Sequence, residues 1–468
     1  MPALLSGMIG VRAEYDVVVI GGGAAGFSAV VVAAESGASV LLVSDGPLGG
    51  TCVNFGCVPT KFLLHRLSLN RRAGIRVGLS EILREARRVS SELRADKYES
   101  LLDSLGVDHA RERARFKAPG IIEVNGREVR YRRAAIIAVG AKTWRPPIPG
   151  LGESAPRILD NEKLFSEPME ADPSRVAVIG GRAQGIEIAQ IMARSGVETH
   201  LVQRSGRLLP EEEPEAGYTI RKVLEDDGVR VYTSTRITRV KNQGSEVELV
   251  FKSGENLVRV SVDYIYLATG RKPVLEGLGL DRVGVRVSSE GFIVVDEYLR
   301  ASRGIYAAGD CINGYMLEPV AAKEGYVAAV NALGGSMKMD YTVVPRAVFT
   351  DPEFARVGLT ERELARRLGV CACRVVDLAD IPKARILGYR RGFVKMVVDP
   401  RTRRIAGVHM VAPNAAEAIH EAAIAVKNEM TIDDLIDSIH VFPTISEGLK
   451  YAALAFYRDV RKMPCCLV

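Results

Sequence analysis

The sequence lacks the long apolar run that a membrane-spanning helix requires. No stretch of its 468 residues approaches the roughly 18 consecutive apolar residues that such a helix needs. The segment from Met1 to Tyr15 also lacks a basic stretch followed by a long apolar one, which a secretory leader would have. We therefore expect a cytoplasmic protein that makes no use of a membrane.

The chain also has no basic arm and few cysteines. Its 63 basic and 57 acidic residues give a net charge of +6, and the basic residues are scattered along the chain. Scattered charge argues against nucleic-acid binding, which needs a concentrated basic surface. Seven cysteines in a chain of this length do not make a disulfide scaffold, so clustered ones are expected to be catalytic or metal-binding.

What the sequence does contain is a glycine-rich turn that occurs twice. An apolar run over Tyr15 to Ile20 meets Gly21-Gly22-Gly23-Ala24-Ala25-Gly26, and Arg175 to Ile179 meets Gly180-Gly181-Arg182-Ala183-Gln184-Gly185. In such a strand–turn–helix unit one glycine permits the bend, one lets the backbone approach a pyrophosphate, and one lets the helix pack on the strand. Two units predict two bound dinucleotides, commonly a flavin and a nicotinamide.

Two cysteines stand five residues apart in the stretch Gly49-Gly50-Thr51-Cys52-Val53-Asn54-Phe55-Gly56-Cys57-Val58-Pro59-Thr60-Lys61. On a regular helix they would lie about 8 Å apart, beyond the roughly 7 Å limit for a disulfide. The start of the helix must therefore be distorted, and we expect the neighbouring glycines and Pro59 to supply the distortion. Two unrelated buried cysteines are the alternative.

Together with Ala268-Thr269-Gly270 and Gly309-Asp310, these features resemble the pyridine-nucleotide disulfide oxidoreductases across essentially the whole chain. The resemblance implies FAD bound by the first domain and Asp310, NAD(P)H bound by the second domain, and a homodimer built by the third domain. It implies an FAD-binding domain in two parts (residues 1–150 and 271–343), an NAD(P)-binding domain (151–270) and a dimerisation domain (344–468). The predicted fold class is α/β, with two Rossmann-like dinucleotide-binding domains plus a C-terminal α+β dimerisation domain.

The resemblance also implies roles for residues near the flavin. Cys57 is the thiolate that faces the flavin, and Cys52 is the outer thiol that meets the substrate. Lys61 lies one helical turn past Cys57 and pairs with Glu187, which favours the reduced anionic flavin and the thiolate; a plain salt bridge is the alternative. Further cofactor contacts are expected from Gly21, Gly23, Gly26, Asp45, Gly50, Thr51, Gly140, Gly180, Gly185, Arg204, Arg207, Gly270 and Asp310.

The sequence departs from the family pattern at both nucleotide sites. The ribose-binding acid falls on Ser44, with the adjacent Asp45 as its candidate substitute, and Arg182 replaces the middle glycine of the second turn. At the end of the following strand no acid is present to repel a 2′-phosphate. Arg204 and Arg207 are suited to bind that phosphate through charge-assisted hydrogen bonds, so NADPH is the predicted cofactor.

The stretch Phe442-Pro443-Thr444-Ile445-Ser446-Glu447 argues against disulfide substrates. Disulfide-reducing branches of the family carry His where Phe442 stands, because a leaving thiolate needs a general acid. His440, two residues earlier, would point to a different face of an extended chain. Dihydrolipoyl dehydrogenase, or another NAD(P)H-dependent disulfide reductase, is therefore the second choice.

Adjacent thiols at Cys465 and Cys466 point to a soft metal ion as the substrate. Mercuric reductases, one branch of the family, share this feature. The resemblance implies that the two thiols collect Hg(II) as a thiol complex and pass it to Cys52 and Cys57 of the other subunit, so that the active site is shared. We therefore predict NADPH-dependent reduction of Hg(II) to elemental mercury. A metal-sequestering protein without enzymatic activity is a rival, but it would leave both dinucleotide units unexplained.

The three remaining cysteines are expected to be structural. Cys311, next to Asp310, fits a packing role. Cys371 and Cys373 would share one face of a strand, where a metal site is the lesser alternative.

Overall fold

The first of three main sheets is the parallel core of the FAD-type unit. A computed structural model describes residues 11–169 and 171–464 of the chain. The sheet's strand order is Arg300–Ser302, Ile305–Ala307, Arg127–Ile137, Glu14–Ile20, Val40–Val43 and Asp108–Ala110. Ala114–Ala118 and Ile121–Val124 extend it as an antiparallel hairpin on the strand Arg127–Ile137.

The second sheet repeats this parallel arrangement after the second glycine turn. Its strands, all parallel, are Arg230–Tyr232, Glu198–Val202, Arg175–Ile179, Tyr264–Leu267 and Ile158–Leu159. An antiparallel sheet of Thr235–Asn242, Val247–Ser253 and Asn256–Val262 packs on it through a shared apolar core. A short pair, Lys142–Thr143 with Arg271–Lys272, completes this part of the chain.

The third sheet is antiparallel and lies in the last quarter of the chain. Its strand order is Arg346–Val348, Glu353–Gly358, Ile405–Ala412, Phe393–Val398 and Ala372–Asp377. The helix Ala415–Lys427 covers it, with Ile419 and Ala422 in the shared core. The predicted fold class, two Rossmann-like units followed by an α+β unit, is confirmed.

Helices cover the faces of these sheets. The α-helices are Ala24–Glu35, Gly50–Phe55, Cys57–Ala73, Leu79–Arg94, Ser100–Ser104, Asn161–Ser166, Ala183–Arg194, Pro214–Asp226, Glu318–Ala332, Glu361–Leu368, Pro382–Ile386, Ala415–Lys427, Ile432–Asp437 and Glu447–Leu454. Shorter turns are the π-helix Ala95–Glu99 and the 3₁₀ turns Ala155–Arg157, Leu280–Val283, Leu378–Asp380 and Val460–Lys462. In the described ranges, none of the helices is long and apolar enough to cross a bilayer.

Glycine is required where the first parallel strand turns into its helix. Gly21 has a φ of +113°, and a β-carbon there would overlap the carbonyl oxygen of Ala138. A β-carbon at Gly26 would overlap the carbonyl oxygen of Gly21, so its absence lets the helix lie against the turn. Gly180 and Gly185 repeat both relationships in the second unit.

Candidate active site

The double-cysteine segment is attached to the first glycine turn. The amide of Gly49 donates to the carbonyl of Gly22 at 2.9 Å. A β-carbon at Gly50, whose φ is +56°, would lie 2.7 Å from the Cα of Gly23. This close backbone contact explains why glycines precede Cys52, and it places the thiols beside the edge of the sheet where a dinucleotide binds.

Gly56 interrupts the helix between the two thiols. Cys52 belongs to the short helix Gly50–Phe55, Gly56 breaks it at φ −136° and ψ −111°, and Cys57 begins the helix Cys57–Ala73, named here the redox helix. Pro59, the third residue of the redox helix, lies in the first turn, where a backbone N–H has no intrahelical partner. The distortion that the spacing required therefore comes from Gly56 and not from Pro59.

The two thiols differ in proton affinity. Both are free, and Cys52 donates a hydrogen bond to Cys57. That bond, opposed by burial and aided by the Lys61 ammonium, lowers the pKa of Cys57 below its ordinary value. The same bond is the main cause of a raised pKa at Cys52, and burial is the second cause. Cys57 also occupies the helix N-terminus, where the dipole favours a thiolate.

Lys61 is held beside this pair by residues from two other parts of the fold. Its ammonium lies 2.9 Å from Glu187 Oε2, on the helix Ala183–Arg194, and 4.7 Å from the ring centroid of Phe349. The other oxygen of Glu187 accepts the backbone N–H of Phe349 at 2.8 Å. Burial alone would lower the pKa of Lys61, but the Glu187 carboxylate and the Cys57 thiolate outweigh it and raise that pKa. The ammonium is therefore charged and oriented.

A second contact point, Asp351, ties the redox helix to the same neighbours. Its carboxylate accepts from Ser68 of the redox helix at 2.6 Å and from Arg194 at 2.8 Å. Its backbone N–H donates to Gln190 at 2.8 Å. Because Gln190 and Arg194 share a helix with Glu187, these bonds fix the spacing between that helix and the redox helix.

The residues around the first glycine turn fit a flavin dinucleotide. The helix Ala24–Glu35 begins at Gly23, and within the described ranges no side chain caps its free amides, which leaves them for a pyrophosphate. Asp310 comes three residues after the strand Ile305–Ala307 and lies 3.4 Å from Arg271. Burial raises the pKa of Asp310, and Arg271 opposes that shift. Arg271 also donates to Thr51 at 3.2 Å.

The other predicted cofactor contacts have different surroundings. Gly140 and Gly270 have positive φ values of 67° and 103°, each just after a strand of its sheet. Ser44, which is buried, lies against Gly22 of the turn. The carboxylate of Asp45 instead points outward and pairs with Arg113 at 2.9 Å. To contact a ribose, Asp45 would have to leave that partner.

At the second turn, the predicted phosphate-binding arginines have different environments. Arg204 is exposed and forms no ion pair with any residue that the structure describes. Arg207 donates to the carbonyls of Pro210 at 2.8 Å and Glu212 at 2.9 Å. Arg182, which precedes the helix Ala183–Arg194, turns away to Glu211. Arg204 is thus the one of the three whose guanidinium is available to a ligand.

The position of the family's general acid is occupied by Phe442, which is 46% exposed. His440 Nε2 lies 2.7 Å from Glu421 Oε1, and this carboxylate raises the pKa of His440. Glu447 accepts the backbone N–H of Thr444 at 3.1 Å. His440, two residues before Phe442, is therefore paired with Glu421 and not with Glu447, the glutamate of the family motif.

Two residues near the thiols were missed by the sequence analysis. The ring of Tyr98 packs on Phe27 with centroids 4.7 Å apart, and burial and then the charge of Cys52 raise its pKa. Glu318 begins the helix Glu318–Ala332, and its charge adds to the rise in the pKa of Cys52. Neither residue lies in a motif, and only the folded chain brings them to the cysteines.

Cys311, Cys371 and Cys373 belong to no metal site among the described residues. Among the described residues no three His, Cys, Asp or Glu side chains are placed to hold a metal ion. Cys311 is fully buried and donates to the carbonyl of Ala308 at 3.3 Å, as expected of packing. Cys373 shares a hydrogen bond with Glu361, and burial, followed by this bond, raises the pKa of Cys373 to about 11. Cys465 and Cys466 lie outside the described residues.

Comparisons with known proteins agree with this geometry. Residues 15–325 match the model of the pyridine nucleotide-disulphide oxidoreductase family, and residues 344–453 match the family's dimerisation domain. The chain is 35% identical to the mercuric reductase of Bacillus cereus over 97% of its own length and 73% of that protein. It is 37% identical to the dihydrolipoyl dehydrogenase of Thermus scotoductus, with coverage of 95% and 98%. Among solved structures, the Cu(II) complex of the flavoprotein disulfide reductase RclA from Escherichia coli superposes with a TM-score of 0.85 at 27% identity, with coverage of 93% and 98%.

Proposed function

The chain belongs to the pyridine nucleotide-disulphide oxidoreductase family, which uses FAD and NAD(P)H, and we propose that it reduces Hg(II) to elemental mercury with electrons from NADPH. The observation that carries this proposal is a thiol–thiolate pair, Cys52 and Cys57, combined with Phe442 where a disulfide reductase needs a proton donor. Hg(II) accepts two electrons without a proton, whereas a disulfide needs protons for its leaving thiols.

The protein's own groups have distinct tasks in this reaction. Bound FAD supplies a two-electron carrier between nicotinamide and thiols. Lys61, fixed by Glu187, keeps the Cys57 sulfur anionic and places positive charge beside it. Cys52 and Cys57 each bind Hg(II) through a thiolate, since soft ligands suit a soft ion. When two electrons reach the bound Hg(II), both sulfur–mercury bonds break, the mercury leaves as Hg(0), and both sulfurs remain as thiolates.

We assign delivery of Hg(II) to Cys465 and Cys466. Adjacent thiols exchange Hg(II) readily with small thiol ligands in solution. Cys52 and Cys57 are only partly exposed, so a thiol complex with bulky ligands meets them less easily. The exposed apolar residues Ile439 and Val441, at 98% and 77%, support burial by a second copy of the chain. The dimerisation-domain match supports a homodimer, and we propose that its subunits share the active site.

We propose that NADPH is preferred over NADH through Arg204. Its free guanidinium follows the strand Glu198–Val202, after which an NAD-specific unit would carry an acid. Gln203 fills the neighbouring position and accepts the backbone N–H of Gly181 at 2.9 Å, which supports the turn. Arg207, held by two carbonyl groups, serves mainly to shape the loop around this site.

A second candidate function is disulfide reduction, as in dihydrolipoyl dehydrogenase. The observation that favours it is the 2.7 Å pair of His440 and Glu421, a titratable dyad two residues before Phe442. Because the Glu421 carboxylate raises the pKa of His440, the imidazole can hold a proton at neutral pH and donate it. For this dyad to act, the His440 imidazole would have to reach the leaving thiolate. Disulfide-reducing relatives place their proton donor two residues later, at the position of Phe442.

Initial rates with different electron acceptors test the proposal. Purified FAD-loaded protein is given NADPH and, in separate reactions, Hg(II) with excess small thiol, oxidised lipoamide, or oxidised glutathione. The proposal expects fast oxidation of NADPH with Hg(II) only, and none with Hg(II) in Cys57→Ser. Lipoamide turnover that exceeds the Hg(II) rate, and that disappears in His440→Asn, would establish the second candidate instead.

A further inference from the structure

A large basic cavity lies away from both nucleotide turns. Its volume is about 720 Å³, and arginines from three segments line it. Arg133 comes from the strand Arg127–Ile137, Arg286 from the loop after the turn Leu280–Val283, and Arg300 and Arg303 from the hairpin between Arg300–Ser302 and Ile305–Ala307. The size lies within the range of small-molecule sites, roughly 300–1,000 Å³.

The cavity lies at the end of the first sheet where the parallel strands begin, whereas the first glycine turn lies where they end. Arg133 is 3.6 Å from Asp16, which lies near the start of the strand Glu14–Ile20, whereas Gly21 follows the end of that strand. Five residues of extended chain separate Asp16 from Gly21, which corresponds to about 16 Å. The four arginines are therefore not part of the cradle around the first glycine turn.

Part of the positive charge in this cavity has no acidic partner among the described residues. Arg286 and Arg303 are exposed and form no ion pair with other described residues. The guanidinium of Arg300 lies 6.0 Å from the ring centroid of Tyr306, which forms part of the lining. The acidic residue in the lining, Asp296, uses its Oδ1 to accept the backbone N–H groups of Tyr298 and Arg300, each at 2.9 Å. The cavity keeps a net positive charge, because its four arginines face two carboxylates, Asp296 in the lining and Asp16 beside Arg133.

We propose that this cavity binds a small molecule that carries two or more adjacent phosphate groups. Guanidinium groups bind phosphate oxygens in pairs, and four of them around one cavity match the charge of a di- or triphosphate better than that of a single phosphate. Inorganic polyphosphates and nucleoside di- and triphosphates share this chemistry. The four arginines lie around one cavity of about 720 Å³, which favours a small molecule over a nucleic acid, since a nucleic acid would need a longer basic surface.

Calorimetric titration of the FAD-loaded protein, with saturating NADP⁺ to occupy the second nucleotide unit, tests this proposal. The probes are orthophosphate, pyrophosphate, tripolyphosphate, ADP, ATP and a single-stranded oligonucleotide. We expect one site per chain that binds tripolyphosphate at least tenfold more tightly than orthophosphate. Tighter binding of ATP than of tripolyphosphate would identify the nucleoside as part of the ligand. Equal affinities would identify the phosphates alone, and both results support the site.

The variant R286E/R303E should weaken binding at least tenfold and leave the flavin content unchanged, because neither arginine has an ion-pair partner in the part of the chain that the structure describes. The control R362E/R366E makes the same charge change on exposed residues of the helix Glu361–Leu368 and should alter affinity less than twofold. Absence of saturable binding, equal losses in both variants, or preferential binding of a single-stranded oligonucleotide over every small probe would overturn the proposal.

Discussion

The ammonium of Lys61 lies 2.9 Å from the carboxylate of Glu187, although the two residues belong to different dinucleotide-binding units. Glu187 follows the second glycine turn, and Lys61 is one helical turn beyond Cys57. The ion pair thus joins the second dinucleotide-binding unit to the redox helix, which carries Cys57. The Lys61 ammonium adds to the effect of the Cys52–Cys57 hydrogen bond in lowering the pKa of Cys57.

Replacement of Lys61 by Gln should raise the pKa of Cys57. The ammonium lowers that pKa, so in wild-type protein the thiolate persists to a lower pH than an ordinary thiol allows, and the variant should lose it at a higher pH. Ultraviolet titration of the reduced protein measures both midpoints. Loss of a charge-assisted interaction of about 1.5–3 kcal/mol predicts a roughly 10- to 100-fold slower turnover near neutral pH. Lys61→Arg, which keeps the charge, is the control, and an unchanged midpoint in Lys61→Gln would contradict this role.

The two cysteines should behave differently when each is replaced by Ser. Two-electron reduction of wild-type protein without oxygen should give a long-wavelength absorbance from the thiolate next to the flavin. Cys57→Ser should abolish this band, since it removes the thiolate. Cys52→Ser should keep it, because a serine hydroxyl can still donate a hydrogen bond to Cys57. A band that survives in Cys57→Ser would show that the assignment of the two thiols is reversed.

Replacement of Arg204 by Gln should weaken the binding of NADPH and leave the binding of NADH nearly unchanged. A charge-assisted bond to the 2′-phosphate is worth about 1.5–3 kcal/mol, so the KM for NADPH should rise roughly 10- to 100-fold. Arg207→Gln is the comparison. Arg207 donates to two carbonyl groups of the loop, so its loss should weaken the binding of both nucleotides to the same extent. Equal effects of Arg204→Gln on the two nucleotides would remove Arg204 from phosphate recognition.

Replacement of both Cys465 and Cys466 by Ala should affect delivery of Hg(II) and not electron transfer. Flavin content, the long-wavelength band and reduction by NADPH depend on the inner thiols, so they should stay at wild-type levels. Turnover should fall sharply when Hg(II) arrives with bulky thiol ligands, and less when the ligands are small. Stopped-flow rates with glutathione and with a halide complex make the comparison. Wild-type rates with every ligand would show that these two cysteines have no role in delivery.

The sequence predicted the elements that local patterns determine. Apolar runs of strand length predict strands at Arg175–Ile179 and Phe393–Val398, helical spacing predicts a helix at Ala415–Lys427, and the structure has all three at these bounds. The prolines and glycines of residues 150–173 are typical of a connection between domains, but the strand Ile158–Leu159 within this segment joins the second sheet. Two apolar residues among prolines and glycines carry too little periodicity to indicate a strand, and here the pairing with Tyr264–Leu267 decides the structure.

The site was predictable where it consists of motif residues, and not where it depends on distant contacts. Cys52, Cys57, Lys61 and Glu187 follow from motif spacing and the family resemblance. Phe349, which holds Glu187, is 162 residues away from it along the chain and stands in no recognisable motif. The partners of Asp45 and Arg207 were equally hidden, since a spacing pattern does not say which way a side chain turns.

Mercury release per NADPH consumed is the most direct test of the proposed activity. Protein, NADPH and Hg(II) with excess thiol are incubated in a sealed vessel that is purged into an atomic-absorption cell, and NADPH is followed in parallel. The two-electron reaction predicts one Hg(0) for each NADPH, and no vapour from Cys57→Ser. NADPH oxidation without mercury vapour, or vapour at the same rate from Cys57→Ser, would contradict Hg(II) reduction at this dithiol.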